Sequence, residues 1–140
     1  MTEQHAASPE PSPEEHEETD GRAVLESLVG EWFTVPEAAE RLGVALSRIR
    51  QMIADREVLA SRVGERRVVA VPAKFFTEDG PRSELKGTFT VLADSGLTDD
   101  EIIDWLFTPD PTLPVPGAPI DSLRAGHKTE VRRRAQELAF

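Results

Sequence analysis

The chain has 140 residues, with 26 acidic against 16 basic side chains, a formal net charge of −10 and no cysteine. This length favours one domain with a modest core, and the missing cysteines exclude disulfides, thiolate nucleophiles and cysteine metal sites. No apolar run is long enough to span a bilayer, and the N-terminus lacks the order of a signal peptide. We therefore expect a cytoplasmic protein without a membrane partner.

The N-terminal segment, residues 1–21, is strongly acidic. Together with Arg22 it holds seven acids against one base, and no large apolar residue follows Met1. Such a segment buries too little surface to offset its ordering entropy, so we predict a disordered tail. One hypothesis is that this tail covers the basic residues and competes with phosphate, and the alternative is a solubilising tail without contacts. A Ser/Thr protein kinase acting there would add negative charge; the candidate sites are Thr2, Ser8, Ser12 and Thr19.

The next segment has the pattern of a helix pair. Apolar residues recur at helical spacing over residues 24–29. Thr34 and Glu37 then have the spacing of a capping box, and the helix that they open ends at Gly43. A second helix is predicted over residues 46–55. Two helices joined by a short glycine-containing turn are typical of a helix-turn-helix.

Two β-rich runs follow the helix pair and flank Gly64-Glu65. They predict a hairpin over residues 58–71, with glycine supplying the turn conformation. A helix pair followed by a hairpin with arginines at its tip describes a winged helix-turn-helix, which we assign to residues 22–80.

The remainder, residues 81–140, is predicted to be a helical extension packed on the same core. Periodic apolar residues mark helices near residues 85–92, 102–107 and 131–138. A proline-rich loop, residues 108–119, separates the last two. The predicted fold class is mainly α with a small β-hairpin wing, and the C-terminal helices offer a surface for a homodimer.

The local charge reverses within the helix-turn-helix. Residues 41–74 hold eight basic against three acidic side chains, a local net charge of +5 that steers partners despite the acidic total. The second helix of such a pair enters the major groove, where arginine can bond guanine in a bidentate manner. The predicted DNA-binding residues are Ser47, Arg48, Arg50 and Gln51 on this helix and Arg62, Arg66 and Arg67 on the wing.

Several of these arginines also have a plainer interpretation. An arginine on an exposed helix is often only solvated, and Arg62 could instead pair with Glu57. A second basic cluster, Arg132 with Arg133 and Arg134, is predicted either to contact phosphate or to form a solvated helix face.

Other chemistry has little support in the sequence. His5, His16 and His127 have no metal-ligand spacing. Gly-rich phosphate loops and nucleophile elbows are absent from the sequence. We therefore predict no enzyme activity, no catalytic residue, no metal and no cofactor.

Residues 34–71 resemble the excisionase and MerR-type helix-turn-helix class, through "TVPEAAERLGV", "RIRQMIADREVLASRV" and "GERRVVAV". The pattern departs at Ala45, where serine or threonine is common, and at Glu57, where glycine is usual. Residues from about 32 to 140 are also similar to a small actinobacterial family of winged-helix DNA-binding proteins with a helical C-terminal extension. The sequences "LGV", "FFT", "WLFTPDP" and "RRAQ" carry this resemblance.

That resemblance implies a cytoplasmic protein, associated with the nucleoid, that binds double-stranded DNA without an enzymatic cofactor. We predict a transcriptional regulator or nucleoid-associated protein that places residues 46–55 in the major groove and uses residues 58–71 as the wing. The alternative is a winged-helix protein-interaction module that does not bind DNA, because the same fold also serves as a docking domain.

Overall fold

The computed structural model describes the backbone of residues 13–139 and the side chains of residues 21–139. The elements follow one another as α1 (Pro13–Val29), β1 (Trp32–Thr34), α2 (Val35–Leu42), α3 (Leu46–Ala54), β2 (Ser61–Val63), β3 (Val68–Pro72), a 3-10 turn (Ala73–Phe75), β4 (Phe76–Thr77), β5 (Gly80–Pro81), α4 (Leu85–Asp94), α5 (Asp99–Phe107), α6 (Pro119–Arg124) and α7 (Lys128–Gln136). The winged helix-turn-helix with C-terminal helices is confirmed.

Helix α1 begins at Pro13, inside the segment 1–21 that we predicted to be disordered. Residues 13–21 are helical, which corrects that part of the prediction. Proline is favoured in the first turn, glutamate is a good helix former, and acids near a helix N-terminus interact favourably with its dipole. The same helix is anchored further along by Leu25 and Val29, which are buried. Residues 1–12, with Thr2, Ser8 and Ser12, lie outside the described part of the chain.

The predicted wing is the antiparallel pair β2–β3, in which Val63 lies opposite Val68. The paired strands are shorter than the predicted range 58–71, because Val58 and Leu59 precede β2 and are almost completely buried in the core. These two side chains fix the position at which the hairpin leaves the domain.

Strand β3 is the central strand of a three-stranded sheet with the order β1-β3-β2. Its second neighbour, β1, was not predicted; Phe33 lies opposite Val71 in this pairing. Three residues are too few for the alternating pattern of a strand, so only the distant partner reveals it.

The ends of helices α2 and α3 are set by local features that the sequence predicts. The Thr34 hydroxyl accepts a hydrogen bond from the Glu37 N–H at 3.3 Å, and the Glu37 carboxylate accepts one from the Thr34 N–H at 2.8 Å. Gly43 ends α2 at φ 68°, in the left-handed region. Ala45 precedes α3 without a side-chain cap, and α3 ends one residue before the predicted limit.

The C-terminal helices and the winged helix share one hydrophobic core. Phe75, from the turn after β3, is completely buried. Its ring centroid lies 5.3 Å from that of Phe89 on α4 and 5.7 Å from that of Phe107 on α5. Aromatic pairs at such distances add to the stabilisation from area burial. The short turn therefore joins the two halves of the chain.

Two small elements in the second half were not predicted. Helix α6 begins at Pro119, within the proline-rich loop, and the Asp121 carboxylate accepts a hydrogen bond from the Ala118 N–H at 2.9 Å. The hairpin β4–β5 has only two residues in each strand. Across residues 13–139, none of the helices has the length and apolar character that a membrane span requires.

Candidate nucleic-acid interface

Helix α3 presents one polar face to solvent. Its residues Ile49 and Met52 are buried in the core, so the opposite side of the helix is held outward. That outer side carries the four predicted DNA-binding residues of this helix, all of them exposed: Ser47, Arg48, Arg50 and Gln51.

Two of these side chains have weak partners on the protein. Arg48 Nη1 lies 3.7 Å from Glu57 Oε2, and Gln51 Nε2 donates to Asp55 Oδ1 at 2.9 Å. An exposed ion pair or a single exposed hydrogen bond contributes about 0–1.5 kcal/mol, so a phosphate or a base edge competes with both contacts easily. Among residues 21–139, no carboxylate lies within 4.0 Å of the Arg50 guanidinium.

The tip of the wing is a tight turn with two residues in the left-handed region. Gly64 has φ 75° and Arg67 has φ 53°. The Glu26 carboxylate on α1 accepts a hydrogen bond from the Gly64 N–H at 3.1 Å. Arg62 donates to the Arg67 carbonyl at 3.3 Å rather than pairing with Glu57. Helix α1 and an arginine of the wing therefore hold the turn in place.

A groove of about 620 Å³ lies between α3 and the wing. Thr34 at the end of β1 and Val35 and Pro36 at the start of α2 also line it. Apolar side chains line part of the groove, together with four basic residues that the sequence predicts to contact DNA: Arg50, Arg62, Arg66 and Arg67. The fold thus brings four of the seven predicted DNA-binding residues to one groove, and Ser47, Arg48 and Gln51 do not line it.

Thr34, which lines this groove, belongs to the capping box of α2 together with Glu37. Hydrogen bonds from the Thr34 N–H and hydroxyl hold the pKa of the Glu37 carboxyl below its usual value. Glu37 consequently remains an anion and stays bound to the helix N-terminus, where the dipole favours negative charge.

The sequence pattern places a glycine at the position of Glu57, where a left-handed backbone would suit it. In this structure the left-handed residue is instead its neighbour Arg56, at φ 59°. Arg56 forms two hydrogen bonds to Asp99 at the start of α5, Nη2 to Oδ1 at 3.0 Å and Nη1 to Oδ2 at 3.3 Å. The end of α3 is therefore tied to the C-terminal helices.

Exposed apolar side chains stand beside the polar ones on this surface, and the sequence analysis did not single them out. Val44 and Leu46 flank the start of α3 and are 36% and 42% exposed, and Val68 on the wing is 47% exposed. For Leu46, the signal in the sequence was its place as the first residue of α3, next to the polar residues of the exposed face. Apolar contacts with the thymine methyl group are one use of such residues in a major groove.

Two of the three arginines in the C-terminal cluster donate hydrogen bonds to oxygens of the fold itself, and phosphate contacts of this cluster stay a prediction. Arg132 donates to the Thr88 hydroxyl at 3.2 Å and to the Glu84 carbonyl at 2.9 Å. Arg134 donates to the Thr112 hydroxyl at 2.6 Å and to the Thr112 carbonyl at 2.9 Å. Only Arg133 remains largely exposed.

Arg133 and Arg134 share a carboxylate. Their hydrogen bonds to Glu130, at 2.6 and 2.8 Å, hold the pKa of that carboxyl below its usual value.

Among the residues that the structure describes, no group of three or more His, Asp or Glu side chains could hold a metal ion.

Two family models match this chain. The model described as "DNA-binding protein Rv2175c, wHTH domain" covers residues 22–76, and the one described as "Rv2175c C-terminal domain of unknown function" covers residues 83–139. The DNA-binding protein Rv2175c of Mycobacterium tuberculosis (strain ATCC 25618 / H37Rv) is 37% identical over 119 residues, which cover 77% of this chain and 80% of that protein. The chain belongs to the Rv2175c family.

A solved structure supports the same assignment at the level of the fold. The NMR structure of Rv2175c superposes with a TM-score of 0.69 at 36% identity, covering 79% of this chain and 82% of that one. The resemblance to a small family of winged-helix DNA-binding proteins is therefore confirmed. All predicted α3 and wing residues fall inside the segment matched by the winged-helix model of the Rv2175c family, and Arg132–Arg134 fall inside the C-terminal one.

Proposed function

We propose that the chain binds double-stranded DNA, with α3 in the major groove and the β2–β3 wing on the neighbouring backbone. The observation that carries the proposal is the gathering of Arg50 and the three wing arginines around one groove beside the exposed face of α3. The name of the Mycobacterium tuberculosis relative supports it independently. The segment 22–80 would supply the DNA contacts, and the segment 81–140 would support it from the shared core.

The two sets of side chains would have different roles. Ser47, Arg48 and Gln51 lie on the outer face of α3, where early residues of a recognition helix reach base edges. Arg50 and the wing arginines border the groove and suit phosphate, which positions the protein without reading sequence. Leu46 adds an apolar contact for a thymine methyl group.

The test is fluorescence anisotropy with a mixed-sequence duplex of about 30 base pairs, nearly three helical turns. Wild type and the double variant Arg48→Ala/Arg50→Ala are titrated at several salt concentrations. Each neutralised phosphate contributes about 0.9 to the slope of log affinity against log salt, so the variant should lose about 1 from the slope through Arg50, and its affinity should fall further through Arg48.

The control is Lys86→Ala/Lys128→Ala, which removes the same charge from exposed positions on α4 and α7. It should keep the wild-type slope, because neither lysine lies on α3 or the wing. Equal loss in both double variants would mean that net charge alone governs binding. Absence of binding by folded wild type at low salt would reject the proposal.

A second candidate function is a protein-interaction module, and the exposed aliphatic side chains Val44 and Leu46 favour it. The net charge of −10 also opposes approach to DNA over long distances. Such a module would show no steep salt dependence toward duplex DNA, so the titration above separates the two functions.

The finer role would be transcriptional regulation or nucleoid organisation, by a homodimer or a monomer. A dimer reads two half-sites about one helical turn apart, so the stoichiometry on duplexes with one and two half-sites distinguishes these states.

We also propose that a Ser/Thr protein kinase modifies the N-terminal segment at Thr2, Ser8, Ser12 or Thr19 and weakens DNA binding through the added charge. The test compares the duplex affinity of the phosphorylated and unphosphorylated chain.

A further inference from the structure

A second cavity lies away from α3 and the wing. Its volume is about 370 Å³, and it is lined by residues of β1, α2, the turn after β3, β4 and the end of α6. None of its lining residues comes from the segment 46–71. The cavity shares no lining residue with the groove assigned to DNA, although both are lined in part by β1 and α2. Its size is within the range of pockets that hold small molecules, about 300–1,000 Å³.

Four basic side chains line this basic pocket: Arg41, Lys74, Arg82 and Arg124. Glu31 and Glu78 are its acidic lining residues. Lys74 and Arg124 are partly neutralised by Asp121, at 3.1 and 3.8 Å. Within residues 21–139, neither Arg41 nor Arg82 has a carboxylate within 4.0 Å, so two guanidinium groups remain without an anionic partner.

Arg82 is held in position and is short of counter-charge. Its Nε donates to the Lys74 carbonyl at 2.9 Å, which fixes the guanidinium at the wall and leaves its two terminal nitrogens as donors. Burial and then the charge of Arg124 lower the pKa of Arg82, against a smaller opposing effect of Glu84. An anion placed here would relieve that repulsion.

The apolar part of the pocket includes two aromatic rings. Phe33 and Phe76 stack with ring centroids 6.3 Å apart and an angle of 26° between the rings. The Arg41 guanidinium lies over the Phe33 ring, 5.0 Å from its centroid. Arg41 is thereby oriented by the ring while its N–H groups remain in the plane of the guanidinium and can donate.

We propose that the basic pocket binds a small organic anion, whose phosphate or carboxylate is held by Arg41 and Arg82 and whose planar apolar body packs against Phe33 and Phe76. Guanidinium groups suit these anions because their paired N–H donors match two oxygens. The ligand would also contact α2, the helix that packs against α3, and so would join a small-molecule site to the recognition helix. The inference does not depend on DNA binding.

The experiment is an NMR titration of the full chain, labelled with ¹⁵N, with phenyl phosphate, benzoate and inorganic phosphate as separate probes. Phenyl phosphate or benzoate should bind saturably and shift amides around Phe33, Arg41 and Arg82. Arg41→Gln and Arg82→Gln should each weaken the binding by about tenfold, as expected for loss of one charge-assisted hydrogen bond. The organic anion that binds more tightly identifies the acid group.

The matched control is Lys86→Gln, which removes an exposed charge outside the pocket and should leave the affinity unchanged. Arg82→Gln also loses the bond to Lys74, so Arg41→Gln, at an exposed position, decides the matter if the former does not fold. Three results would overturn the proposal: no saturable binding of either organic anion, an equal effect of Lys86→Gln, or inorganic phosphate binding as tightly as both. A loss of duplex affinity in Arg41→Gln without any binding of the probes would instead place this arginine in the DNA interface.

Discussion

At the scale of single residues, the arginines of this chain differ in how far the fold itself satisfies their donors. Arg132 and Arg134 bond carbonyl and hydroxyl oxygens inside the fold. Arg48 has one long, exposed pair, and Arg50 has no ion pair among the described residues. A guanidinium whose donors are free can bind phosphate without first breaking a bond. This difference, more than the number of arginines in a segment, distinguishes supporting residues from candidate ligand-binding ones.

Arg56 allows a prediction in which two small effects oppose each other. Its left-handed backbone is unfavourable by about 1 kcal/mol for a residue other than glycine. Its exposed bonds to Asp99 return about 0.2–1 kcal/mol. We expect Arg56→Gly to change the free energy of unfolding by less than about 1 kcal/mol, since it removes both effects.

Arg56→Ala loses the Asp99 bonds but keeps the backbone strain. We expect it to destabilise the protein by up to about 1 kcal/mol, measured by urea unfolding of both variants beside wild type. Because both variants lose the Asp99 bonds, their difference reports the backbone alone, and an Arg56→Gly variant less stable than Arg56→Ala would show that the left-handed backbone at this position is not strained.

At the scale of elements, helix α7 is attached to α4 through Arg132. The guanidinium lies so close over Gly87 that a Cβ added there would be 2.6 Å from Nη2. A methyl group at this position would therefore push the guanidinium away from its hydrogen-bond partners Thr88 and Glu84. Helix α7 therefore stabilises the position of α4 through Arg132, although its three consecutive arginines resemble a DNA-binding patch in the sequence.

We expect Arg132→Ala to lower the free energy of unfolding by about 1–2 kcal/mol, because it removes two half-buried hydrogen bonds from a charged donor. Duplex affinity under conditions where the variant is folded should equal that of wild type. Urea unfolding and anisotropy measure the two quantities. Arg133→Ala is the control, since its side chain is 60% exposed and its loss should affect stability little. Weaker DNA binding by Arg132→Ala without loss of stability would mean that Arg132 contacts DNA and does not mainly support the fold.

At the scale of the whole molecule, basic and acidic side chains occupy different regions. The basic segment 41–74 carries a net charge of +5 within a chain of −10. Helix α1 joins the two regions, since its acidic N-terminal half continues into the residue that bonds the wing tip, Glu26. Residues 14–18 precede Glu26 by 8–12 positions, or about 12–18 Å along a helix. This exceeds the Debye length of about 8 Å at physiological salt.

That distance predicts the salt range in which the acidic half of α1 affects DNA binding. The variant with Glu14, Glu15, Glu17 and Glu18 all changed to Gln keeps good helix formers and removes four negative charges. We expect tighter duplex binding at low salt and nearly wild-type affinity at physiological salt, measured by anisotropy.

A control with the same change in net charge substitutes exposed acids far along the chain, Glu78→Gln, Asp79→Asn, Asp94→Asn and Glu137→Gln. An equal gain in this control would show that only the total charge matters. Unchanged affinity of the α1 variant at low salt would reject a regulatory role of the acidic segment.

The features that the sequence determined by itself are those whose interactions are local. The capping boxes Thr34–Glu37 and Thr98–Glu101 join residues three apart, and Gly43 ends α2 through its own backbone. The buried face of α3 follows from helical spacing, so the exposure of Ser47, Arg48, Arg50 and Gln51 could be predicted. The family resemblance rested on short motifs that are equally local.

Tertiary structure alone decided which basic residues are free to bind a ligand. Arg132 meets the carbonyl of Glu84 across 48 residues, and Arg134 meets Thr112 across 22. Strand β1 exists only because β3 pairs with it, and Arg41 and Arg82 meet at one pocket only after the chain has folded. Such contacts depend on loop closure and packing between distant segments, and neither periodicity nor composition records them.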